Sequence, residues 1–135
     1  MGTKTEELTE RGWEVAPGEV ISRTPVAYRE FIQQSRAEFG VPKHGYVATR
    51  GGWFSDRSVC YLASGRPVMM ESTGVEDFLP VGEGLLTFRD LASAQAAVAL
   101  INADYERHRH AARALAENYF APERVLPKFL DAAMN

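Results

Sequence analysis

Apolar positions recur along this chain in two alternating rhythms. Tyr28, Phe31, Ile32, Ser35 and Phe39 share one face at a 3.6-residue spacing, which predicts a helix. Thr24 stands at its N-cap, Pro25 takes the first helical position, and Gly40 with Pro42 ends the pattern. Short β-rich runs flank this helix, Gly12–Ala16 before it and Gly45–Thr49 after it, and both predict strands. Ser55 then caps a second helix, with Asp56 in its first turn, Val59, Cys60, Leu62 and Ala63 on its apolar side, and Gly65 to close it. Pro67–Met70 and Gly84–Phe88 predict a third and a fourth strand, joined by a Gly- and Pro-bearing loop over residues 72–82. The last third is helical. Asp90 caps Leu91–Ile101, a charged helix follows from Asp104 to Tyr119, and Pro122 opens a final helix carrying Val125, Leu126, Phe129 and Leu130.

Strands separated by helices imply crossover connections. The expected fold is therefore α/β: a Rossmann-like parallel sheet of about four strands, helices on both faces, and a helical C-terminal third. Residues 1–11 are polar and are expected to be either a frayed end or a cut into a longer chain, leaving 12–135 as a single domain. In such sheets ligands gather beyond the carboxyl ends of the strands, which directs attention to "RGGWFSDR", Arg50 to Arg57. Gly51 and Gly52 lack a Cβ, so their backbone can approach a ligand closely. The first N–H groups of the next helix, at Ser55, Asp56 and Arg57, lie at the positive end of its dipole. With the Arg57 guanidinium beside them, these groups suit a diphosphate, and Asp56 suits a ribose. The plain alternative is a strand-to-helix turn with a solvated acid and base. Trp53 either stacks on a nucleobase or packs over the sheet. Thr73 and Gly74, with Glu76 and Asp77, either close over a sugar or form a polar loop.

Composition removes several function classes. The 135 residues are 45% apolar and 24% charged, with a formal charge of -3, so no basic field draws the chain onto nucleic acid. The single cysteine excludes an internal disulfide and is expected to be an inert, buried thiol; no Cys/His spacing suits a metal. There is no apolar leader and no membrane-length apolar run, which together with the lone cysteine points to a cytoplasmic protein without a membrane span. The basic cluster Arg107 to Arg113 is interleaved with acids and is expected to be a solvated helix face, and Lys43–His44 to lie exposed.

The stretch "CYLASGRPVMMESTGVEDFLPVGEGLLTFRDLASAQAAVALI", Cys60 to Ile101, resembles the C-terminal, donor-binding half of GT-B glycosyltransferases. Ala63, Gly65, Pro67, Val68, Thr73, Gly74, Glu76, Gly82, Gly84, Leu85 and Leu86 follow the order of that motif. "YREFIQQSRAEFGVPKHGYV", Tyr28 to Val47, is similar to the preceding segment in a bacterial glycosyltransferase-like subgroup. The resemblance implies a nucleotide-diphosphate sugar as substrate, bound by Gly51, Gly52, Trp53, Ser55, Asp56, Arg57, Thr73, Gly74 and Glu76, with no metal or other cofactor. It also implies that sugar transfer needs an acceptor-binding domain. Two departures stand out. The glutamate pair that many retaining members use falls here on Gly52 and Cys60, and the acceptor half is absent from the sequence. The competing expectation is a non-catalytic α/β interaction module that has lost its ligand, associating with itself or a partner. A redox dinucleotide is disfavoured because no G-x-G-x-x-G follows a predicted strand.

Overall fold

Three short parallel strands organise the fold in the computed structural model, which describes residues 4–134. Two units divide the chain, Met1–Phe31 and Ile32–Asn135. In the first, α1 (Lys4–Glu10) and α2 (Gly18–Ile21) precede α3 (Pro25–Gln34), within which the boundary falls. Thr24 caps α3 as expected, its Oγ1 accepting from Ala27 N–H at 3.1 Å. The strand expected at Gly12–Ala16 is not formed. That segment is irregular, and Trp13 and Val15 are exposed, so neither has the buried face that would fix a strand.

The second unit holds the sheet. β1 (Glu38–Gly40), β2 (Val68–Glu71) and β3 (Leu85–Phe88) lie side by side in that order, with Phe39 opposite Met69 and Met69 opposite Leu86. The sheet thus has three strands where about four were expected. The strand expected over Gly45–Thr49 is instead α4 (His44–Thr49), which leaves Gly40 through Pro42 and ends at Arg50. Phe39, expected on a helix face, lies in β1 with its ring stacked at 5.3 Å on Phe88 of β3.

The other helices follow their local signals. Ser55 caps α5 (Asp56–Ala63), its side chain accepting from Arg57 N–H. Gly65, in the left-handed region at φ 63°, closes it, with Arg66 N–H bonded to Tyr61 O and Gly65 N–H to Leu62 O. Asp90 and Ser93 form a reciprocal capping box at the start of α6 (Leu91–Ala103). Asp104 caps α7 (Tyr105–Leu115), a π turn runs over Ala116–Phe120, and α8 (Pro122–Met134) ends the chain.

Strand pleating sorts the core into two layers. Met69, Leu86 and Phe88 bury against Ala94, Ala97 and Ile101 of α6. Val68, Met70 and Leu85 alternate with them and are buried on the opposite side, where α5 and α7 approach the strands. α7 comes closest at Gly84. A Cβ there would lie 2.3 Å from Ala112 N, and the buried His108 accepts the Gly84 N–H through Nδ1 at 3.2 Å. Cys60, expected buried, is exposed on α5. Among the described residues, no helix is long and apolar enough to cross a membrane.

Candidate functional site

A parallel sheet turns all its carboxyl ends to one edge, so the segments that follow the strands meet there. Beyond β1 the chain forms α4 and reaches Arg50, whose φ of 47° makes it the non-glycine residue with left-handed backbone among those described. Gly74, following β2, explains why Arg50 is held so. Its own φ is 85°, and a Cβ on it would sit 2.7 Å from the Arg50 carbonyl oxygen. Two further bonds join these segments. Gly52 N–H donates to Thr73 O at 2.9 Å, and the Thr73 hydroxyl donates to Trp53 O at 2.7 Å.

Between these loops lies a cavity of about 270 Å³ lined by Val47, Ala48, Arg50, Glu71, Ser72 and Arg89. Its two guanidiniums converge on one carboxylate. Arg89 Nη2 lies 3.0 Å and Arg50 Nη2 3.6 Å from Glu76 Oε1, which also accepts from the Ser72 hydroxyl at 2.5 Å. Arg50 additionally lies 3.7 Å from Asp77. A larger hollow of about 430 Å³ sits against α7 near Val81 and Tyr119, but Glu83 is the only charged side chain lining it. A third hollow, of about 340 Å³, is also basic, lined by Arg109, His110 and Arg113, but its Ser64 and Gly65 precede β2. The smaller cavity is the one that joins two guanidiniums to residues at the carboxyl ends of the strands.

Burial pushes the Glu76 carboxyl upward, but hydrogen bonds from Ser72, its own backbone N–H and Arg89, together with the charge of Arg50, hold it below the ordinary value of 4.5. Because its folded value is the depressed one, Glu76 contributes stability that is fully present above pH 4.5 and is lost as the pH falls from there through the folded value. Melting temperatures should therefore drop through that acidic window, and Glu76→Gln should flatten part of the drop.

None of the expected site residues lines this cavity, and they are found in different states. Gly52 has φ 74°, and its Cα is covered by Phe78, whose ring carbons lie 2.4 and 2.7 Å from the Cβ position. Gly51 has no such constraint. Ser55 and Asp56 both accept the Arg57 N–H, at 3.2 and 2.8 Å. The Arg57 Nε donates to the buried Glu38 Oε1 at 2.5 Å, tying α5 to β1. Trp53 stacks on Tyr46 at 4.9 Å, and its neighbour Phe54 stacks on Phe120 at 5.5 Å. Two of the amides expected to meet a ligand, those of Gly52 and Arg57, are thus bonded within the chain. Thr73, Gly74 and Glu76 do come together with the Arg50 segment.

Sequence reasoning missed Arg50, Glu71, Ser72 and Arg89. The signal was available: each stands at or just beyond the carboxyl end of an element that reaches the same sheet edge, and the rule that singled out the first loop applies equally to the segments after β2 and β3.

Comparison with curated proteins yields no match, and comparison with solved structures yields none. Residues 6–130, which include the sheet and every residue of the cavity, match the family described as glycosyl transferase-like. By that match and its parallel α/β sheet, the chain belongs to the glycosyl transferase-like family.

Proposed function

We propose that this chain binds the nucleoside diphosphate of a nucleotide-sugar donor at the carboxyl edge of its sheet, as the donor half of a GT-B glycosyltransferase of bacterial type. The observation that carries this reading is the convergence of Arg50 and Arg89 on a single carboxylate beside a cavity of about 270 Å³. A diphosphate offers several charged oxygens to such a pair, and guanidiniums take them two at a time. Gly51 and Gly52 follow Arg50 directly in the chain, Thr73 and Gly74 hold that segment against the end of β2, and Asp56 at the start of α5 is the candidate acceptor for ribose hydroxyls. Arg57, its charge paired with the buried Glu38, serves as a strut in this arrangement. Transfer of the sugar is assigned to an acceptor-binding domain, and the place of action to the cytoplasm, where such donors are made.

One observation favours a second reading, the non-catalytic interaction module. The Gly52 and Arg57 amides and the Arg57 guanidinium are engaged inside the chain, as they would be in a site that has closed over. The two readings part in a thermal-shift experiment with the uridine, guanosine, adenosine and thymidine diphosphates at millimolar concentration. Donor binding predicts that at least one raises the melting temperature by several degrees, since a hundredfold excess over Kd stabilises the folded state by about 2.7 kcal/mol. It also predicts that Arg57→Ala keeps the shift while Arg50→Ala loses it. No shift with any of the four, together with a concentration-dependent dimer in light scattering, would establish the interaction module instead.

A further inference from the structure

Oε1 of Glu76 is the meeting point of three donors that come from three separate segments. Arg50 follows α4, Ser72 follows β2 and Arg89 follows β3, and each stands at the same edge of the sheet. Ser72 is buried and donates its hydroxyl proton at 2.5 Å, Arg89 approaches at 3.0 Å and Arg50 at 3.6 Å. The other oxygen of the same carboxylate, Oε2, is buried and has no hydrogen-bond partner. An acceptor with one oxygen crowded by donors and the other unsatisfied fits its surroundings poorly. A phosphoryl group, with three oxygens and more charge, would use the same donors more fully.

We infer that Arg50, Ser72 and Arg89 form a phosphoryl-binding subsite, and that the Glu76 carboxylate is its resident stand-in, displaced when a diphosphate enters. The inference rests on the donor-binding reading above and gives Glu76 a role opposite to that of a sugar ligand: it competes with the donor. The surroundings permit the exchange. Glu76 lies on a single 3-10 turn, Val75–Asp77, that begins at the left-handed Gly74, and the adjoining Asp77 is already at the surface. The Arg50 and Arg89 side chains are 48% and 68% exposed, so both can shift to follow an incoming anion. The internal carboxylate also keeps two like charges from facing each other across an empty cavity, and that repulsion would reappear in its absence.

The test is calorimetric titration of the full chain with inorganic pyrophosphate and, separately, with uridine diphosphate. Glu76→Gln removes the competing charge at nearly constant shape, and pyrophosphate affinity should rise by about fivefold. Arg89→Gln, a change at a largely exposed side chain, should weaken pyrophosphate by at least about tenfold in the wild-type and in the Glu76→Gln background. Should Glu76→Gln fail to fold, Glu76→Asp draws the carboxylate back by one methylene and should likewise tighten binding. If wild type binds uridine diphosphate but the Glu76 variants bind pyrophosphate no better or more weakly, the stand-in role is wrong and the donor-binding reading survives. If neither ligand binds wild type or any variant, that reading fails and the subsite with it.

Discussion

Gly84→Ala should destabilise the chain by about 4 kcal/mol and lower its melting temperature by about 15 °C, the largest effect expected of any single methyl group in the molecule. Two independent costs add at this position. Gly84 has φ 72°, a conformation in which an L-residue is strained by about 1–2 kcal/mol. Its new Cβ would also lie 2.3 Å from Ala112 N and 2.7 Å from Ala112 Cα and Ala111 C, all backbone atoms of α7. A flexible side chain could yield; a helix backbone cannot, so α7 must retreat from β3. That retreat stretches the bond from Gly84 N–H to His108 Nδ1 and loosens the layer formed by Val68, Met70 and Leu85. Gly51→Ala provides the contrast. Its backbone φ lies outside the left-handed region and its Cβ would meet only Thr49 Oγ1 at 3.7 Å, so the substitution should change stability by less than about 0.5 kcal/mol. Chemical denaturation of both variants measures the difference.

Gly74→Ala is the second large effect, expected at about 3 kcal/mol and concentrated at the ligand edge. With φ at 85° and the Cβ position 2.7 Å from the Arg50 carbonyl oxygen, the substitution pushes the Arg50 segment away from the end of β2. The bonds from Gly52 N–H to Thr73 O and from the Thr73 hydroxyl to Trp53 O lengthen together. Arg50 then no longer points at Glu76. The variant should retain its far-ultraviolet circular dichroism at low temperature, because the sheet and α6 are untouched, yet show no stabilisation by any nucleoside diphosphate. A variant that melts like wild type and still responds to nucleotide would show that this contact does not organise the edge.

Much of the second unit was legible from local chemistry. Ser55, Gly65, Asp90 and Pro122 each mark a helix boundary through a cap or a fixed φ, signals that act within four residues and survive any tertiary context. β2 and β3 were legible because they are apolar, short and flanked by turn residues. β1 was not. Glu38-Phe39-Gly40 contains two poor strand formers, and its extended state comes from pairing with Val68–Met70, a partner about 30 residues away. Phe39 also fell in phase with the face of α3, so the helical period ran on past its true end. The run Gly45–Thr49 suffered the converse error, since a short apolar segment reads equally as strand or helix until the sheet position beside β2 is known to be filled.

The site divides along the same line. A glycine pair next to a helix cap is visible as a motif, but the cavity is lined by the preceding Arg50 and not by either glycine. Gly51 and Gly52 also look identical in sequence, while only Gly52 adopts positive φ, with Phe78 laid over it. Arg50 and Arg89 lie about 40 residues apart, and each is a single cation at the end of an element. Only the parallel order β1-β2-β3 brings them to one edge, so their partnership is a property of topology that no local pattern encodes.

The account turns on whether that arginine pair holds a diphosphate. Calorimetric titration of the four nucleoside diphosphates into wild type and into the Arg50→Ala/Arg89→Ala double variant tests it most directly. At least one nucleotide should bind wild type, and its affinity should fall by about a hundredfold or more in the double variant, the loss expected for two charge-assisted contacts. Equal affinity in the two proteins, with the double variant folded, would contradict it.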